Sequence, residues 1–205
     1  MGDELQAEKH SYHHGDLRRA LLAAAEAELA EKGVEGFTLR GCAKRAGVSH
    51  AAPAHHFGDA TGLLSALAAE GFERFMATTQ ARVDRAGSTD ARERLNALGL
   101  GYIDFARANP ALFHLMFSSR RPDMRDEHLQ KAGTAAFAQL VSYVGEVGGA
   151  DPLSSREGRR QVAALWAIVH GLAHLILSRR MKFLEGQDEA ELEKDLAAII
   201  ATALP

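Results

Sequence analysis

The chain has one cysteine, five prolines and 6% aromatic residues among its 205 positions. A single thiol, Cys42, excludes an internal disulfide and a cysteine-built zinc site, and reads as a small apolar packing residue. With proline scarce and alanine, leucine and glutamate abundant, the composition is that of an all-α protein. The most apolar stretch, residues 165–177, is interrupted by His170 and His174 and is too short for a bilayer, so it reads as a buried helix with no membrane partner. Asp3, Glu4 and Glu8 occupy an N-terminus without an apolar core; no signal peptide is expected and a cytoplasmic location is inferred. Neither a glycine-rich phosphate loop nor a nucleophile–base pair is evident, so no catalytic residue, metal ligand or cofactor is expected.

What the chain does contain is concentrated between Thr38 and Phe57. Thr38 and Ser49 each carry a hydroxyl able to accept from a free N–H in a following first helical turn, so both are expected N-caps. Gly47 between them suits the positive φ that ends one helix and turns the chain, with Val48 plugging inward. Leu39, Cys42, Ala43 and Ala46 share one face of the first helix. The second would expose Ser49, His50, Ala51, Ala54 and His55, small residues and hydrogen-bonding groups suited to a groove. Pro53 is expected to keep this helix short. Arg40, Lys44 and Arg45 stand between Phe37 and Gly58 with no acid, a local basic patch on a chain of net charge -3. Two short helices joined by a tight turn make a DNA reader or an ordinary hairpin with a solvated basic side; the flanking sequence favours the reader.

Around this segment the periodicity predicts further helices. Residues 1–14 read as a polar tail bearing His13 and His14. Asp16 is expected to cap a helix running to Lys32 on a stripe of Leu17, Ala20, Leu21, Ala24, Ala27 and Leu29, stopped by Gly33. Asp59 is expected to cap a helix over about 60–86, roughly 40 Å long. Others are predicted from Thr89 or Asp90 to about Asn109, from Ala111 to Phe117 after Pro110, and over about 125–147, 154–182 and 188–204.

The phrase Gly36-Phe37-Thr38-Leu39-Arg40, the turn Ala46-Gly47-Val48-Ser49, the ending His56-Phe57 and the following Leu63-Leu64 together resemble the DNA-binding domain of the TetR family of bacterial transcriptional regulators. Trp166-Ala-Ile-Val-His170-Gly171 resembles the Trp-His-Gly signature of one ligand-sensing C-terminal domain type in that family. The resemblance implies two all-α domains. Residues 1–58 would form a three-helix, helix-turn-helix DNA-binding domain, and residues 59–205 a larger helical sensing and dimerisation domain. It implies a homodimer, not an enzyme, that recognises a palindromic operator in double-stranded DNA and answers to a small effector as a repressor. The expected DNA-contacting residues are Thr38, Arg40, Lys44, Arg45, Ser49, His50, Ala51, His55 and His56. Where family members commonly carry a tyrosine this chain has Ala54, and where many carry a lysine it has Ala60. Losing both phosphate contacts predicts modest affinity and a shallow salt dependence.

Phe75, Tyr102, Phe105, Phe113, Met116, Phe117, Phe137, Trp166, His170 and His174 are expected to line a cavity for an apolar or weakly polar effector, with Tyr143 in the same wall and His114 joining Tyr102, His170 and His174 as polar anchors. In the last two helices, Val162, Leu165, Trp166, Val169, Leu172 and Ile176 form one stripe; Leu192, Leu196, Ile199, Ile200 and Leu204 form another. Val162, Val169, Leu172, Ile176, Leu192, Leu196, Ile199 and Ile200 are the expected dimer interface. Two alternatives stand beside this reading: a helical-bundle metal-dependent enzyme using His114, His170 or His174, and a regulator homologue whose reading head serves protein contacts.

Overall fold

The computed structural model describes residues 3–184 and 186–204, and residues 3–15 by their backbone alone. Among the described residues the chain is helical, with two short 3₁₀ turns at Pro152–Ser154 and Lys182–Leu184 and no strand. The helices are α1 (Asp3–Gly36), α2 (Leu39–Ala46), α3 (Ala52–Phe57), α4 (Ala60–Ala86), α5 (Ala91–Ala108), α6 (Pro110–Phe117), α7 (Glu127–Gly148), α8 (Arg156–Leu177) and α9 (Glu189–Ala201). They divide into two compact units. One takes the chain up to Gly71 together with Ala111–Gln130; the other takes Phe72–Pro110 and the chain from Lys131 onward.

In the first unit the expected helix start at Asp16 is corrected. Asp16 lies inside α1 and accepts from the Arg19 side chain at 3.1 Å instead of capping. Gly33 does break the helix, at φ 68° and ψ 178°. The buried stripe of α1 is Leu21, Leu22, Ala24, Ala25, Glu28 and Leu29, while Ala20 and Ala27 face solvent. The stripe is therefore rotated from the expected one. The side chains of His13 and His14 lie outside the described residues.

Local chemistry explains the next three joints. Thr38 Oγ1 accepts the Gly41 N–H at 3.0 Å and starts α2. Gly47, at φ 66° and ψ 31°, ends it in the left-handed region: the Val48 N–H bonds the Ala43 carbonyl and the Gly47 N–H the Lys44 carbonyl. An added Cβ at Gly47 meets no atom within 4 Å. Gly47→Ala is therefore expected to cost only the left-handed conformation, about 1 kcal/mol in a urea titration.

Ser49 does not cap α3. A cap at Ser49 would put Pro53 at the fourth helical position, whose N–H must bond the cap carbonyl, and proline has none. The Ser49 carbonyl instead accepts from Ala52 at 3.0 Å, and α3 begins at Ala52 with Pro53 in its first turn, where a missing N–H costs nothing. The shortness of α3 comes from Gly58, at φ 78°, and from Asp59, which caps α4 through the Gly62 N–H at 2.9 Å. Residues 63–69 of α4 are all buried. Leu112, Phe113, Leu115 and Met116 of α6 are buried in the same unit. There Gly71 allows close approach, since a Cβ on it would meet Met116 Sδ at 2.6 Å.

In the second unit α5 packs against α8 and α9. Gly99 allows a close approach there, since an added Cβ would stand 3.0 Å from Ile200 and 3.2 Å from Val169. Thr79 Oγ1 bonds Gln139 at 3.0 Å, and the Arg82 guanidinium bridges Glu193 at 2.6 Å and Asp104 at 3.4 Å.

The expected interface stripes are largely spent inside this unit. Val162, Val169, Leu172, Leu196 and Ile200 are buried by their own chain, while Ile176, Leu192 and Ile199 are half-buried. The reading of residues 165–177 as a buried helix is likewise corrected. By length and composition α8 is apolar enough to cross a membrane, yet it buries only one side, leaving Trp166 and Leu175 each 42% exposed along with Ala163, Ala164 and Ala167.

Candidate functional site

The segment from Gly47 to Phe57 is presented to solvent by the joints just described. Ser49, His50, Ala51, Ala54 and His55 are all exposed, and buried Pro53 anchors the inner side of α3. Thr38, Arg40 and Lys44 are exposed on α2 and its cap. His56 is half-buried between His55, with ring centroids 5.5 Å apart, and Phe57, at 6.3 Å. The Arg18 guanidinium of α1 lies 5.2 Å over the Phe57 ring, adding a cation beside this segment that the linear pattern did not indicate.

Arg45 stands apart from the other two cations. Its Nε donates to Glu28 at 2.7 Å and its guanidinium also pairs Glu31, both on α1. Glu28 is 5% exposed, so this carboxylate needs its partner. Lys32 and Arg45 together hold the Glu31 carboxyl down at about 2, and the two acids hold the Arg45 guanidinium above its ordinary value. Glu28 also fills the space over Gly41, where a Cβ would stand 2.0 Å from its carboxylate oxygen. The sequence carried a signal for this: Glu28 shares the face of Leu21, Ala24 and Ala25 on α1.

The expected effector-lining residues fall into separate groups. Phe113, Met116 and Phe117 belong to the first unit, with the Phe113 and Phe117 rings 5.0 Å apart; His114 is exposed on the same helix. In the second unit Phe75 meets Tyr102 edge-on at 5.1 Å and Phe105 at 5.4 Å. The Tyr102 hydroxyl lies 2.8 Å from His170 Nδ1, His170 and His174 are 4.6 Å apart between centroids, and Phe137 stands 5.9 Å from Trp166. Tyr143 is elsewhere, its hydroxyl donating to Gln80 at 3.0 Å. An open groove of about 530 Å³ in this unit is lined by Arg82, Arg85, Glu93, Asn96, Leu100 and Glu193, and by none of the aromatic set.

Burial pushes the Tyr102 phenol well above its ordinary value, against a hydrogen bond from the Trp166 side chain. Tyr102 therefore stays protonated, and its hydroxyl hydrogen-bonds His170 Nδ1, the direction of that bond following the His170 tautomer. Burial first, and His174 second, hold His170 below the ordinary imidazole value. The unfolded chain consequently binds this proton more readily than the folded one. The stabilising contribution is present above the ordinary value of 6.5 and is lost as pH falls below it. His170→Gln is expected to remove part of the loss of thermal stability between pH 7 and pH 5.

Two family models match this chain. One, "Bacterial regulatory proteins, tetR family", matches residues 21–67, and the other, "Tetracyclin repressor-like, C-terminal domain", matches residues 95–199. The chain belongs to the TetR family. It is a DNA-binding transcriptional regulator of that family, and the segment between Thr38 and Phe57 is its helix-turn-helix.

Among curated TetR-like relatives, the HTH-type transcriptional regulators BetI of Burkholderia cenocepacia and Burkholderia ambifaria are each 30% identical over 160 residues, covering 77% of this chain and 80% of theirs. A solved protein of unknown function from Rhodococcus sp. RHA1 is 36% identical, with a TM-score of 0.76 over 94% of this chain and 97% of that one. A TetR family transcription regulator from Marinobacter aquaeolei shares the fold at 18% identity, with a TM-score of 0.69 over 95% and 98%. Membership favours the regulator over the helical-bundle metal enzyme. Among the described residues no group of three metal-ligating side chains comes together.

Proposed function

We propose that this TetR-family regulator is a ligand-responsive repressor that binds an imperfect palindrome as a homodimer. The observation that carries the reading is the exposed run Ser49, His50, Ala51, Ala54 and His55, held outward by the Gly47 turn and buried Pro53. Small side chains admit the backbone to the major groove, while Ser49 and the imidazoles supply hydrogen bonds to bases and phosphates. Arg40, Lys44, Thr38, His50 and His55 are the proposed contacts, with Arg45 and His56 acting from behind them. Residues 1–58 serve as the reading domain and residues 59–205 as the sensing and dimerisation domain of the Trp-His-Gly type. The outward sides of α8 and α9 meet a second copy. Residual apolar exposure at Trp166 and Leu175 supports this, together with half-buried Ile176, Leu192 and Ile199.

The effector is small and apolar or weakly polar. Phe75, Phe105, Phe137 and Trp166 supply apolar surface, and Tyr102, His170 and His174 the polar anchors. Effector release of DNA requires tighter binding to the DNA-free arrangement, so operator must weaken effector binding by the same factor. Selection of bound duplexes from random DNA with the purified protein tests the central reading. Enrichment of two inverted half-sites about 10 bp apart, centre to centre, is expected. Recovery of no sequence, with a monomeric mass by light scattering, would sink it in favour of a head used for protein contacts.

A further inference from the structure

The compact unit that holds the helix-turn-helix also includes Ala111–Gln130, a segment some fifty residues further along the chain. Two hydrogen bonds tie its loop to the reading head. The Arg121 guanidinium donates to the Val34 carbonyl at 2.8 Å, and the Asp123 N–H donates to Ser65 Oγ at 2.8 Å. Ser65 is fully buried in α4 and its hydroxyl donates to the Thr61 carbonyl at 2.9 Å, so the oxygen that receives Asp123 is already oriented. Between the two tethers Pro122 is buried, and a residue before proline, here Arg121, is disfavoured from helical backbone.

The receiving carbonyl occupies a decisive place. Val34 follows the break at Gly33, its side chain is buried, and its carbonyl also accepts the Phe37 N–H at 3.4 Å. Residues 33–37 form the joint from which Thr38 launches α2, and through α2 the Gly47 turn and α3. Phe37 supplies a long, neutral bond at this joint. Arg121 supplies a short, charge-assisted one.

We infer that Arg121 is a positioning residue for DNA recognition: from outside the helix-turn-helix, it fixes the α1–α2 joint and with it the presentation of α2 and α3. The 118–123 loop is thereby a part of the reading head, and a rearrangement of that loop alters DNA affinity without touching a DNA-contacting side chain. This inference rests on the DNA-binding role of the Thr38–Phe57 segment.

The test compares Arg121→Ala, Arg121→Lys and Arg120→Ala, an exposed neighbour, on a duplex carrying the sequence enriched from random DNA. Arg121→Ala is expected to weaken binding about tenfold, the scale of one lost charged hydrogen bond. The slope of log affinity against log salt should not change, because no phosphate contact is removed. Arg121→Lys keeps a charged donor and should recover part of the loss; Arg120→Ala should bind as the parent does. A slope smaller by about 0.9 in Arg121→Ala would instead make Arg121 a direct phosphate contact and overturn the inference. Unchanged affinity would overturn it equally. A second readout needs no DNA: amide exchange in residues 34–38 should accelerate in Arg121→Ala while that of α8 stays constant. Should Arg121→Ala not fold, Ser65→Ala, which releases the other tether, carries the same affinity and exchange comparison. If no duplex is enriched, the regulator reading fails, while exchange still decides whether Arg121 holds the joint.

Discussion

Arg45→Ala is expected to lower the urea midpoint while leaving the salt dependence of DNA binding unchanged. By sequence Arg45 belongs to the basic patch with Arg40 and Lys44, and removing any of the three should then lower the salt slope. Its partners on α1 point to a structural role instead. Glu28 keeps only 7% of its side chain exposed and loses its 2.7 Å partner in the variant, leaving a carboxylate in a site that does not solvate it. Arg45 itself is 31% exposed, so water recovers part of the loss. Arg40→Ala and Lys44→Ala should behave in the opposite way, with stability within about 0.5 kcal/mol of the parent and the salt slope reduced by about 0.9 each. Urea titration and a salt series on the same duplex separate the two patterns. A parental urea midpoint for Arg45→Ala, together with a reduced slope, would return Arg45 to the DNA-contacting set. Acid weakens the same network. The Glu31 carboxyl is held near 2, so its contribution is complete above its ordinary value of 4.5 and fades as pH falls towards 2.

The second large effect is expected at Gly62→Ala. A Cβ at this position would stand 2.0 Å from the Phe57 carbonyl oxygen and 3.2 Å from its carbon. These are backbone atoms, and the same oxygen accepts the Asp59 N–H at 3.0 Å, so no side-chain rotation relieves the clash. Relief requires the α3–α4 joint to move. The expected cost is about 2–3 kcal/mol, the upper part of the range for overpacking. DNA affinity should fall too, since α3 ends at this joint. Gly71→Ala provides the contrast. Its new Cβ would meet Met116 Sδ at 2.6 Å, the end of a flexible thioether that can turn aside, and less than about 1 kcal/mol is expected. Equal urea midpoints for the two variants would contradict this account of the joint.

Much of the reading head was legible because its determinants are local. Thr38, Gly47, Asp59 and Asp90 each settle a helix end with partners no more than five residues away, and the extent of α4 followed from Asp59 and the break at Gly87. Ser49 fails as a cap through an equally local fact: Pro53 has no N–H to give the Ser49 carbonyl. The α1 stripe was less legible, because the buried face includes a charged residue, Glu28, in place of Ala20 and Ala27. It is inward because Arg45, seventeen residues later, meets it there. The proposed effector set was recognisable as aromatic, yet its members divide between two units, and interlocked rings hold Phe75, Tyr102 and Phe105.

By itself the sequence determined the helical class, the order of the helices, the turn at Gly47 and membership in the TetR family. Each depends on residue type, on spacing within a few turns, or on motif order. Only the tertiary structure decided which side of α8 is covered, that Arg45 is committed to Glu28 and Glu31, and that residues 118–123 return to Val34 and Ser65. Periodicity reports that a helix has an apolar side but not which neighbour covers it. Hydrogen bonding between residues 17 or 87 positions apart is set by the path of the chain, and no local pattern encodes that path.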